Sequence, residues 1–334
     1  MNERILIFGA GAIGTYLGAS LANQGNQVIF LERKQDLNTL QEQGLRLEVD
    51  GRRISANASF ISDLEDIRSL NLTLGILALK TYQLETILPD LIQFKRILPP
   101  LLCLQNGVES EMVLAGALGE DCVIPGTVTS AVDRLKKGSV VVRKLRGMGI
   151  AGQHERVKSL VTIFNQAGLN CRYYQQAAAM KWSKLLTNLL GNASSAILDL
   201  TPAEIYSDQE LYKIELEQVR EALRVMNELG IQPLNLPGVP VQLLAGLSKQ
   251  VGGGRGQKMP SFHIDLYSGR KKSEVDQLNG AVVRAGERIG CSTPVNRFLT
   301  RTLMGLITGE IPLDRYSKDR SRFLKDLQAS RVSE

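Results

Sequence analysis

The stretch that most constrains the fold is a short apolar run followed at once by three closely spaced glycines. Residues 4–8, RILIF, lead into the motif Gly9-Ala-Gly11-Ala-Ile-Gly14, and a segment with helical spacing follows. This order predicts a strand, a tight glycine turn and a helix. Such a turn brings the free N–H groups of a helix N-terminus close to a phosphate. The sequence therefore predicts a dinucleotide site at the start of an α/β domain.

Each glycine of the motif has its own role in this prediction. Gly9 allows the tight turn, Gly11 lets the backbone approach a pyrophosphate, and Gly14 lets the helix pack closely on the strand. The residues between them supply backbone amides to the phosphates. We therefore predict that the whole turn binds the cofactor, namely Gly9, Ala10, Gly11, Ala12, Ile13 and Gly14.

The end of the next predicted strand gives conflicting indications of which dinucleotide is bound. Residues 27–31 form that strand, and Glu32 and Arg33 follow it. Glu32 could accept a hydrogen bond from a ribose 2′-hydroxyl and favour NADH, whereas Arg33 could pair with a 2′-phosphate and favour NADPH. We adopt Arg33, with Lys34 beside it, as the cofactor-binding residue and NADPH as the cofactor. Glu32 keeps NADH as the alternative.

The length and composition of the chain exclude several classes of protein. A chain of 334 residues exceeds the size at which one core usually stops growing, so we expect two domains. The net charge of +6 arises from 40 basic and 34 acidic residues that are spread along the sequence, so we expect no nucleic-acid partner, although an anionic small molecule is compatible. Cys103, Cys122, Cys171 and Cys291 lack the paired spacing of zinc or redox sites, so we expect reduced cysteines and no metal site.

The sequence carries no signal for a membrane or for export. No stretch has the length and apolarity of a membrane segment, and residues 1–4 lead into the first strand without a secretory leader. We therefore expect a soluble, cytoplasmic protein that does not bind a membrane.

Strand signals fill the first half of the chain and stop near residue 174. The patterns predict one hairpin over residues 45–60, buried strands over 72–79 and 97–104, and a second hairpin over 123–151 across a Lys-Lys-Gly turn. Long amphipathic segments follow Gln175. We expect an α/β domain over residues 1–174 and an all-α domain over residues 175–334.

Two polar residues stand at the carboxyl ends of predicted strands. Lys80 follows residues 72–79, and Asn106 follows residues 97–104 in a Gln-Asn-Gly turn. Ligands of open α/β sheets bind at this edge. Taken singly, Lys80 could equally be an exposed lysine and Asn106 an ordinary turn residue.

A line of polar residues crosses the apolar segment at residues 181–198. Lys184, Asn188 and Asn192 recur every four residues, so one continuous helix would carry them on a single stripe. The stripe could be the solvated face of a surface helix. It could also be a catalytic wall, because the chain has only two histidines that could act as acids. Lys181, one turn earlier, is a rival to Lys184.

A loop rich in proline and glycine divides the second half. Residues 233–260 contain four prolines and the run Gly252–Gly256. The run lacks the Gly-Lys-Ser/Thr ending of a phosphate-binding loop. We predict a flexible cover over a cleft.

Five motifs in order resemble the ketopantoate reductase (2-dehydropantoate 2-reductase) family. They are GAGAIG, LALKTYQ, LQNGV, KWSKLLTNLLGN and PSFHID…GR…SEVDQLNG, and the resemblance extends from Arg4 to about Thr308. It implies a Rossmann domain followed by an all-helical domain, with the active site in the cleft between them. It also implies the reduction of 2-dehydropantoate to pantoate in pantothenate biosynthesis, usually with NADPH.

The resemblance assigns roles residue by residue. Lys184 would be the general acid, and Glu274 would be the carboxylate that holds the substrate or orients the lysine. The polar contacts to the substrate would come from Asn106, Asn188, Asn192 and Ser261, the last to its carboxylate. Lys80 would lie at the nicotinamide end of the cofactor, and Asn106 and Glu274 would also be cofactor-binding residues.

Three departures from the family pattern lie on the substrate side. Lys258 stands where some members have an asparagine, the loop before Pro260 is long, and GRKKSE is one residue longer than the common form. A related dehydrogenase on another 2-oxo or hydroxy acid, such as an opine-type or sugar-acid enzyme, remains the alternative. A non-catalytic NAD(P)-binding regulator is another, although it would need neither Lys184 nor Glu274.

The chemistry of carbonyl reduction agrees with these residue types. Hydride delivery to a ketone carbon builds negative charge on oxygen, so the site needs a proton donor and hydrogen-bond donors. A lysine partly removed from water can release its proton near neutral pH. Asparagines donate hydrogen bonds without competing for that proton. We expect a small-molecule 2-oxo acid as the partner and a monomer or homodimer as the assembly.

Overall fold

The computed structural model describes residues 3–241 and 256–332, and their contacts group them into two units. The first unit takes in the chain up to Gln105, then Glu109–Lys181 and Leu236–Val239. The second takes in Asn106–Val108, Trp182–Asn235 and the chain from Pro240 onward. The boundary after residue 174 between two separate domains stays a prediction.

The strands of the first unit form two sheets. In chain order they are β1 (Arg4–Phe8), β2 (Gln27–Leu31), β3 (Leu45–Val49), β4 (Arg52–Ala56), β5 (Ser59–Ile61), β6 (Leu74–Leu77), β7 (Leu101–Cys103), β8 (Val123–Val128), β9 (Ala131–Lys136), β10 (Ser139–Lys144), β11 (Met148–Ala151) and β12 (Cys171–Tyr174). Among the described residues the main sheet has the order β12-β11-β8-β7-β6-β1-β2-β5 and the second sheet the order β4-β3-β10-β9.

The main sheet has the predicted Rossmann arrangement. β1 pairs in parallel with β2 on one side and with β6 on the other, so the strand order reverses at β1. β7 and β8 extend the parallel part, whereas β11 pairs antiparallel with β8. In open sheets the crevice at such a reversal, outside the carboxyl ends of the strands, is where ligands bind. The prediction of an α/β Rossmann-type domain is confirmed.

The predicted hairpins are only partly correct. β3 and β4 pair antiparallel as expected. The end of the predicted hairpin, β5, does not join them but pairs in parallel with β2. The stretch 123–151 is not one hairpin but four strands, because β9 and β10 form the hairpin while β8 and β11 pair in the main sheet. Between the two sheets Gly147, at φ +136°, accepts a hydrogen bond from Thr129 N, and this tie fixes where the chain changes sheet.

Helices cover both faces of the main sheet. They are α1 (Ala12–Asn23), α2 (Lys34–Gln43), α3 (Leu84–Phe94), α4 (Ser110–Leu118) and α5 (Val157–Gln166). Successive residues of a strand point to opposite faces, so in β1 Ile5 and Ile7 join one core while Leu6 and Phe8 join the other. Burial on both faces explains why β1 is continuously apolar.

The four cysteines are free, as predicted. Cys103 in β7 and Cys171 in β12 are buried, and Cys122 and Cys291 are partly exposed. Burial raises the pKa of the Cys171 thiol to about 12 and that of Cys103 well above its usual range. The two buried cysteines therefore remain protonated thiols at neutral pH and pack as small apolar residues.

The second unit is helical, as predicted. Its helices are α6 (Ala177–Leu189), which begins in the first unit, and α7 (Ala193–Leu198), α8 (Pro202–Ser207), α9 (Gln209–Glu228), α10 (Ser261–Tyr267), α11 (Ala281–Ile289), α12 (Pro294–Thr308) and α13 (Arg320–Val332). A π-helical turn, Asp276–Gly280, precedes α11. Past β12, the part of the chain that the structure describes contains no strand, only one isolated bridge between Leu236 and Val239.

Two further predictions concern parts of the chain outside these elements. Of the flexible cover predicted over residues 233–260, residues 242–255 lie outside the described residues, so the cover stays a prediction. Over residues 3–241 and 256–332, no helix has the length and apolarity needed to cross a membrane.

The prediction of one continuous helix over residues 181–198 is wrong. α6 ends at Leu189, Gly191 adopts a left-handed conformation at φ +61°, and α7 begins after Asn192. The broken turn is stabilised by the buried carboxylate of Glu215, which accepts hydrogen bonds from Gly191 N and from Ser194 Oγ. Asn192 therefore caps a second helix instead of continuing the stripe of Lys184 and Asn188.

A second buried carboxylate on α9 caps the start of α12. Glu221, fully buried, accepts hydrogen bonds from Val295 N at 2.8 Å, from Asn296 N at 2.9 Å and from the Asn296 side chain at 2.7 Å. These amides belong to the first turn of α12, whose N–H groups have no partner within the helix. Burial nevertheless raises the pKa of Glu221 above its ordinary value of 4.5, although the backbone hydrogen bonds from Asn296 and Val295 oppose that rise.

This raised pKa predicts how stability changes with pH. Between pH 4.5 and the higher pKa of the native state, folded Glu221 keeps a proton that the unfolded chain has lost, so its contribution to stability falls as the pH rises through this window. Glu221→Gln cannot titrate. We expect the stability of the wild type, measured relative to Glu221→Gln by urea unfolding at a series of pH values, to decrease from pH 4 to neutrality. A difference that increased with pH would contradict the prediction and show that the helix N-terminus outweighs burial.

Candidate active site

The glycine turn after β1 has the geometry of a phosphate-binding loop. Gly9, at φ +95°, donates its N–H to Leu31 O at 3.2 Å and so ties the end of β1 to the end of β2. A Cβ added to Gly14 would lie 2.0 Å from the Gly9 carbonyl oxygen, so the helix can approach the strand this closely only with glycine there. A Cβ on Gly11 would meet no heavy atom within 4 Å. The open space at Gly11, beside the N-terminus of α1, fits an approaching pyrophosphate.

The end of β2 carries a cluster of four charged side chains. Glu32 accepts hydrogen bonds from Ala10 N, from Arg33 N at 3.2 Å and from Lys137 Nζ at 2.8 Å. Lys137 Nζ also lies 3.0 Å from Asp36 Oδ2, which is 3.5 Å from Arg33 Nε. The Glu32 side chain is 6% exposed and that of Arg33 is 75% exposed, so the arginine is the accessible member. Lys137 was not among the predicted cofactor-binding residues, because the sequence shows only that it lies in a Lys-Lys-Gly turn.

Lys80 stands where the sequence placed it, beyond the carboxyl end of β6. Leu77, the last residue of β6, pairs with Phe8 of β1, so the chain that follows leaves the sheet beside the glycine turn. Lys80 is half-buried and begins a short 3-10 turn, Thr81–Gln83, in which the Gln83 side chain accepts from Lys80 N at 3.0 Å. Lys80, Arg33 and the glycine turn all belong to the first unit.

The other predicted residues belong to the second unit, where three of them form a connected polar group. Asn188 Nδ2 donates to Asn106 Oδ1 at 3.1 Å, and Asn106 Nδ2 lies 3.5 Å from Glu274 Oε2. Glu274 is only 2% exposed. Gly107 fixes the turn at Asn106, because its φ is +92° and a Cβ there would lie 2.5 Å from Gln277 O. The Asn106 amide therefore bridges α6 to the segment before the π-helical turn.

The exposure along α6 decides between a solvated face and a site. From Met180 to Leu190 every residue is buried except Lys184, Thr187 and Asn188, which are partly exposed. A surface helix would show a broad polar face. This narrow polar opening in a buried helix favours a binding site. Thr187 also lies in this opening, and its Oγ1 donates to Lys184 O at 2.7 Å. The four-residue spacing of Lys184, Asn188 and Asn192 could not reveal it.

Asn192 and Ser261 lie at the ends of neighbouring helices. Asn192, 5% exposed, donates to Asn188 O at 3.3 Å and accepts from Phe262 N at 3.1 Å. Ser261 is the exposed first residue of α10, directly before Phe262. Asn192 thus joins α6 to the start of α10, and its role as a substrate contact stays a prediction.

Comparison with known proteins decides the family. The family model described as ketopantoate reductase PanE/ApbA matches residues 5–154, and the model described as ketopantoate reductase PanE/ApbA C terminal matches residues 176–306. The chain belongs to the ketopantoate reductase PanE/ApbA family. The resemblance inferred from the five motifs is therefore confirmed.

Individual relatives of this ketopantoate reductase family member agree over nearly the whole chain. A 2-dehydropantoate 2-reductase of Streptococcus pyogenes serotype M3 is 27% identical over 302 residues, which are 89% of this chain and 95% of that protein. The crystal structure of a PanE/ApbA family ketopantoate reductase from Ralstonia eutropha JMP134 has a TM-score of 0.81 at 26% identity and covers 92% of this chain and 99% of its own. The ternary structure of D-mandelate dehydrogenase with NADH and anilino(oxo)acetate shares the fold, with a TM-score of 0.78 at 24% identity over 92% of this chain and 99% of its own.

The rival lysine of this family member lies in a closed environment. Lys181 is 5% exposed, and its Nζ lies 2.6 Å from Glu111 Oε1. The same Nζ donates to Gln105 O at 2.6 Å and to Gly126 O at 3.3 Å. Lys181 thus holds the carbonyl of the residue that directly precedes Asn106.

We expect one glycine variant of the turn to lose stability and another to lose cofactor affinity. Gly14→Ala forces a Cβ against the Gly9 carbonyl oxygen, and we expect it to lower the free energy of unfolding by about 1–3 kcal/mol or more. Gly11→Ala has space for its Cβ, so its stability should change by less than about 0.5 kcal/mol while its affinity for NADPH falls. Urea unfolding and a fluorescence titration with NADPH measure the two effects. Normal NADPH binding by Gly11→Ala would exclude the turn as the pyrophosphate site.

The buried Lys181–Glu111 pair predicts a double-mutant result. Lys181→Met or Glu111→Gln alone leaves a charge buried without its partner, which should cost about 3–5 kcal/mol. The double variant removes both charges and should recover much of that loss. Lys213→Met is the control, because Lys213 forms an exposed pair with Glu210 that should contribute about 1 kcal/mol or less. A loss in the double variant equal to the sum of the two single losses, measured by urea unfolding, would contradict the pairing.

Proposed function

We propose that this chain is an NADP-dependent oxidoreductase that reduces 2-dehydropantoate to pantoate, a step of pantothenate biosynthesis. The family, and the name of the Streptococcus pyogenes relative that matches 89% of this chain, support this substrate. The observation that carries the proposal is the narrow polar opening on α6, where Lys184 and Asn188 interrupt a buried helix. Asn188 there joins the polar group that includes Asn106 and Glu274.

The residues of this opening suit the proton side of carbonyl reduction. When bound, the nicotinamide cofactor supplies the hydride that the carbonyl carbon accepts. Lys184 donates the proton that the carbonyl oxygen needs as negative charge develops on it. Asn188 and Asn106 are held in place by their mutual hydrogen bond and offer amide donors that do not compete for that proton. Glu274 supplies the carboxylate that orients the lysine or holds the substrate.

We propose NADPH as the cofactor because of the accessible guanidinium at the end of β2. The Arg33 side chain is 75% exposed and can pair with a 2′-phosphate, whereas Glu32 is buried and already accepts from Ala10, Arg33 and Lys137. The second candidate is an NADH-dependent dehydrogenase of another 2-oxo or 2-hydroxy acid. Glu32 at this position and the substrate-side departures at Lys258 and in GRKKSE favour it, and D-mandelate dehydrogenase with NADH has the same fold.

A turnover assay with variants of Lys184 tests the proposal. The purified chain should oxidise NADPH when 2-dehydropantoate is added, and NADH more slowly. Lys184→Ala should lose most of kcat, by on the order of 10²–10⁴-fold as expected for a general acid, while its NADPH affinity stays unchanged. Lys184→Arg keeps the charge but releases its proton too reluctantly to act as the acid, so it should also be slow.

The Lys184 assay needs a control variant, and three outcomes would contradict the proposed function. Lys158→Ala, on the exposed side of α5, should retain wild-type kcat. Wild-type turnover by Lys184→Ala would remove the lysine from the mechanism. Faster turnover with NADH of an aryl 2-oxo acid, the oxidised form of mandelate, would replace the proposed reaction by the second candidate. NADPH binding without turnover on any 2-oxo acid of a broad panel would instead indicate a regulator.

A further inference from the structure

We propose that Lys137 sets the nucleotide preference of the site at the end of β2. In this proposal Lys137, together with Arg33, balances the charges of Glu32 and Asp36, so that a 2′-phosphate is accepted beside Arg33 and a ribose 2′-hydroxyl finds fewer acceptor sites. The proposal rests on the proposed function only in that the glycine turn binds a nicotinamide dinucleotide. It concerns a residue of the second sheet, distant in sequence from the dinucleotide motif.

The hairpin turn that carries Lys137 is held firmly against α2 and β3. β9 and β10 pair so that Lys136 lies opposite Ser139, which leaves Lys137 and Gly138 as the turn. Gly138, at φ +68°, accepts from Arg46 N at 2.8 Å. A Cβ on Gly138 would lie 2.8 Å from the Leu40 side chain and 3.1 Å from Gly44 O. The backbone of the turn is therefore fixed at the far end of α2, and Lys137 is presented to Glu32 and Asp36 from a defined position.

The ion pairs of Lys137 decide the charge that a ligand meets. Its Nζ lies 2.8 Å from Glu32 Oε2 and 3.0 Å from Asp36 Oδ2, and its side chain is only 20% exposed. Two carboxylates and two cations, Lys137 and Arg33, balance to zero; without Lys137 the cluster would carry −1. A 2′-phosphate carries a charge of about −1.5 to −2 at neutral pH, so that remaining carboxylate charge would repel it. Lys137 removes the repulsion and leaves Arg33 available to the phosphate.

Lys137 also competes for the lone pairs of Glu32. A carboxylate has about four sites that accept hydrogen bonds. Ala10 N uses one on Oε1, and Arg33 N and Lys137 Nζ use two on Oε2. An NADH-preferring site needs a free acceptor here for the ribose 2′-hydroxyl. Lys137 therefore leaves a ribose 2′-hydroxyl one acceptor site on Glu32 instead of two, and so weakens NADH by the same contact with which it favours NADPH.

Binding of nucleotide fragments to the full-length chain tests this without any hydride transfer. The probes are 2′,5′-ADP, which carries the 2′-phosphate, and 5′-AMP, which does not, measured by calorimetry; NADPH and NADH are titrated by fluorescence. Lys137→Met should weaken 2′,5′-ADP and NADPH by at least about tenfold, because the cluster then carries −1 beside the phosphate, and leave 5′-AMP and NADH unchanged or tighter. Lys137→Arg should restore most of the binding of 2′,5′-ADP. Lys136→Met is the matched control, an exposed lysine on the same turn, and should change each affinity less than about twofold.

Each other outcome overturns the proposal. Equal losses for 5′-AMP and 2′,5′-ADP in Lys137→Met would mean that Lys137 only supports the fold of the site, and no loss would mean that it does not act on the ligand. If thermal unfolding shows that Lys137→Met does not fold, Glu32→Gln replaces it. Asp36 then faces both Lys137 and Arg33, so the cluster carries +1 and 2′,5′-ADP should bind more tightly; weaker binding refutes the idea.

The outcome for the proposed function is read separately. A wild type that discriminates between 2′,5′-ADP and 5′-AMP but does not reduce 2-dehydropantoate leaves the role of Lys137 intact and refutes only the substrate. A wild type that reduces 2-dehydropantoate but binds both fragments equally refutes the role of Lys137 and leaves the reaction intact.

Discussion

The carboxylate of Glu215 accepts hydrogen bonds from the backbone of Gly191 and from the side chains of Ser194 and Gln218 in a fully buried part of the second unit. An interrupted helix leaves N–H groups without partners, and burying them unpaired costs about 1–3 kcal/mol each. Glu215 supplies a partner for one of them, Gly191 N, at the point where α6 has ended at Leu189 and before α7 starts at Ala193. The break that separates Asn192 from Lys184 and Asn188 is stabilised by this one acceptor.

The break has a consequence for the polar group on α6. Asn188 stays on the helix and donates to Asn106, whereas Asn192 has turned to accept from Phe262 N. Asn106 and Glu274 are separated by 168 residues in the chain. The side-chain amide of Asn106 nevertheless contacts both Glu274 and Asn188 of α6. An amide held by such contacts has few alternative orientations, which is what a site needs in order to present donors to a developing negative charge. The buried Glu215 carboxylate of α9 therefore acts on this group through the helix end at Gly191.

Much of the fold could be predicted from sequence because its signals are local. A strand, three glycines and a helix are adjacent in the chain, and β1 and β2 have the predicted bounds. The alternation of apolar and polar residues does not show that β8 and β11 belong to one sheet and β9 and β10 to another, because side chains alternate with a period of two in strands of either sheet. The helix break escaped prediction because a single glycine such as Gly191 is tolerated within helices. Lys137 escaped because its partners Glu32 and Asp36 lie about a hundred residues earlier, and lysines in turns are usually only solvated.

Lys181 and Lys184 lie one turn apart on α6, and their contacts and exposure, not their spacing in the sequence, distinguish a structural lysine from a candidate catalytic one. An ammonium has three N–H groups, and three acceptors surround Lys181 Nζ within 3.3 Å: Glu111 Oε1, Gln105 O and Gly126 O. Its ion pair with the Glu111 carboxylate, which is 14% exposed, and its hydrogen bond to the Gln105 carbonyl fix the backbone before Asn106. Lys181 therefore has a structural environment. Lys184, on the partly exposed side of the same helix, is the more accessible lysine of this pair, which is why the proposed general-acid role is assigned to it.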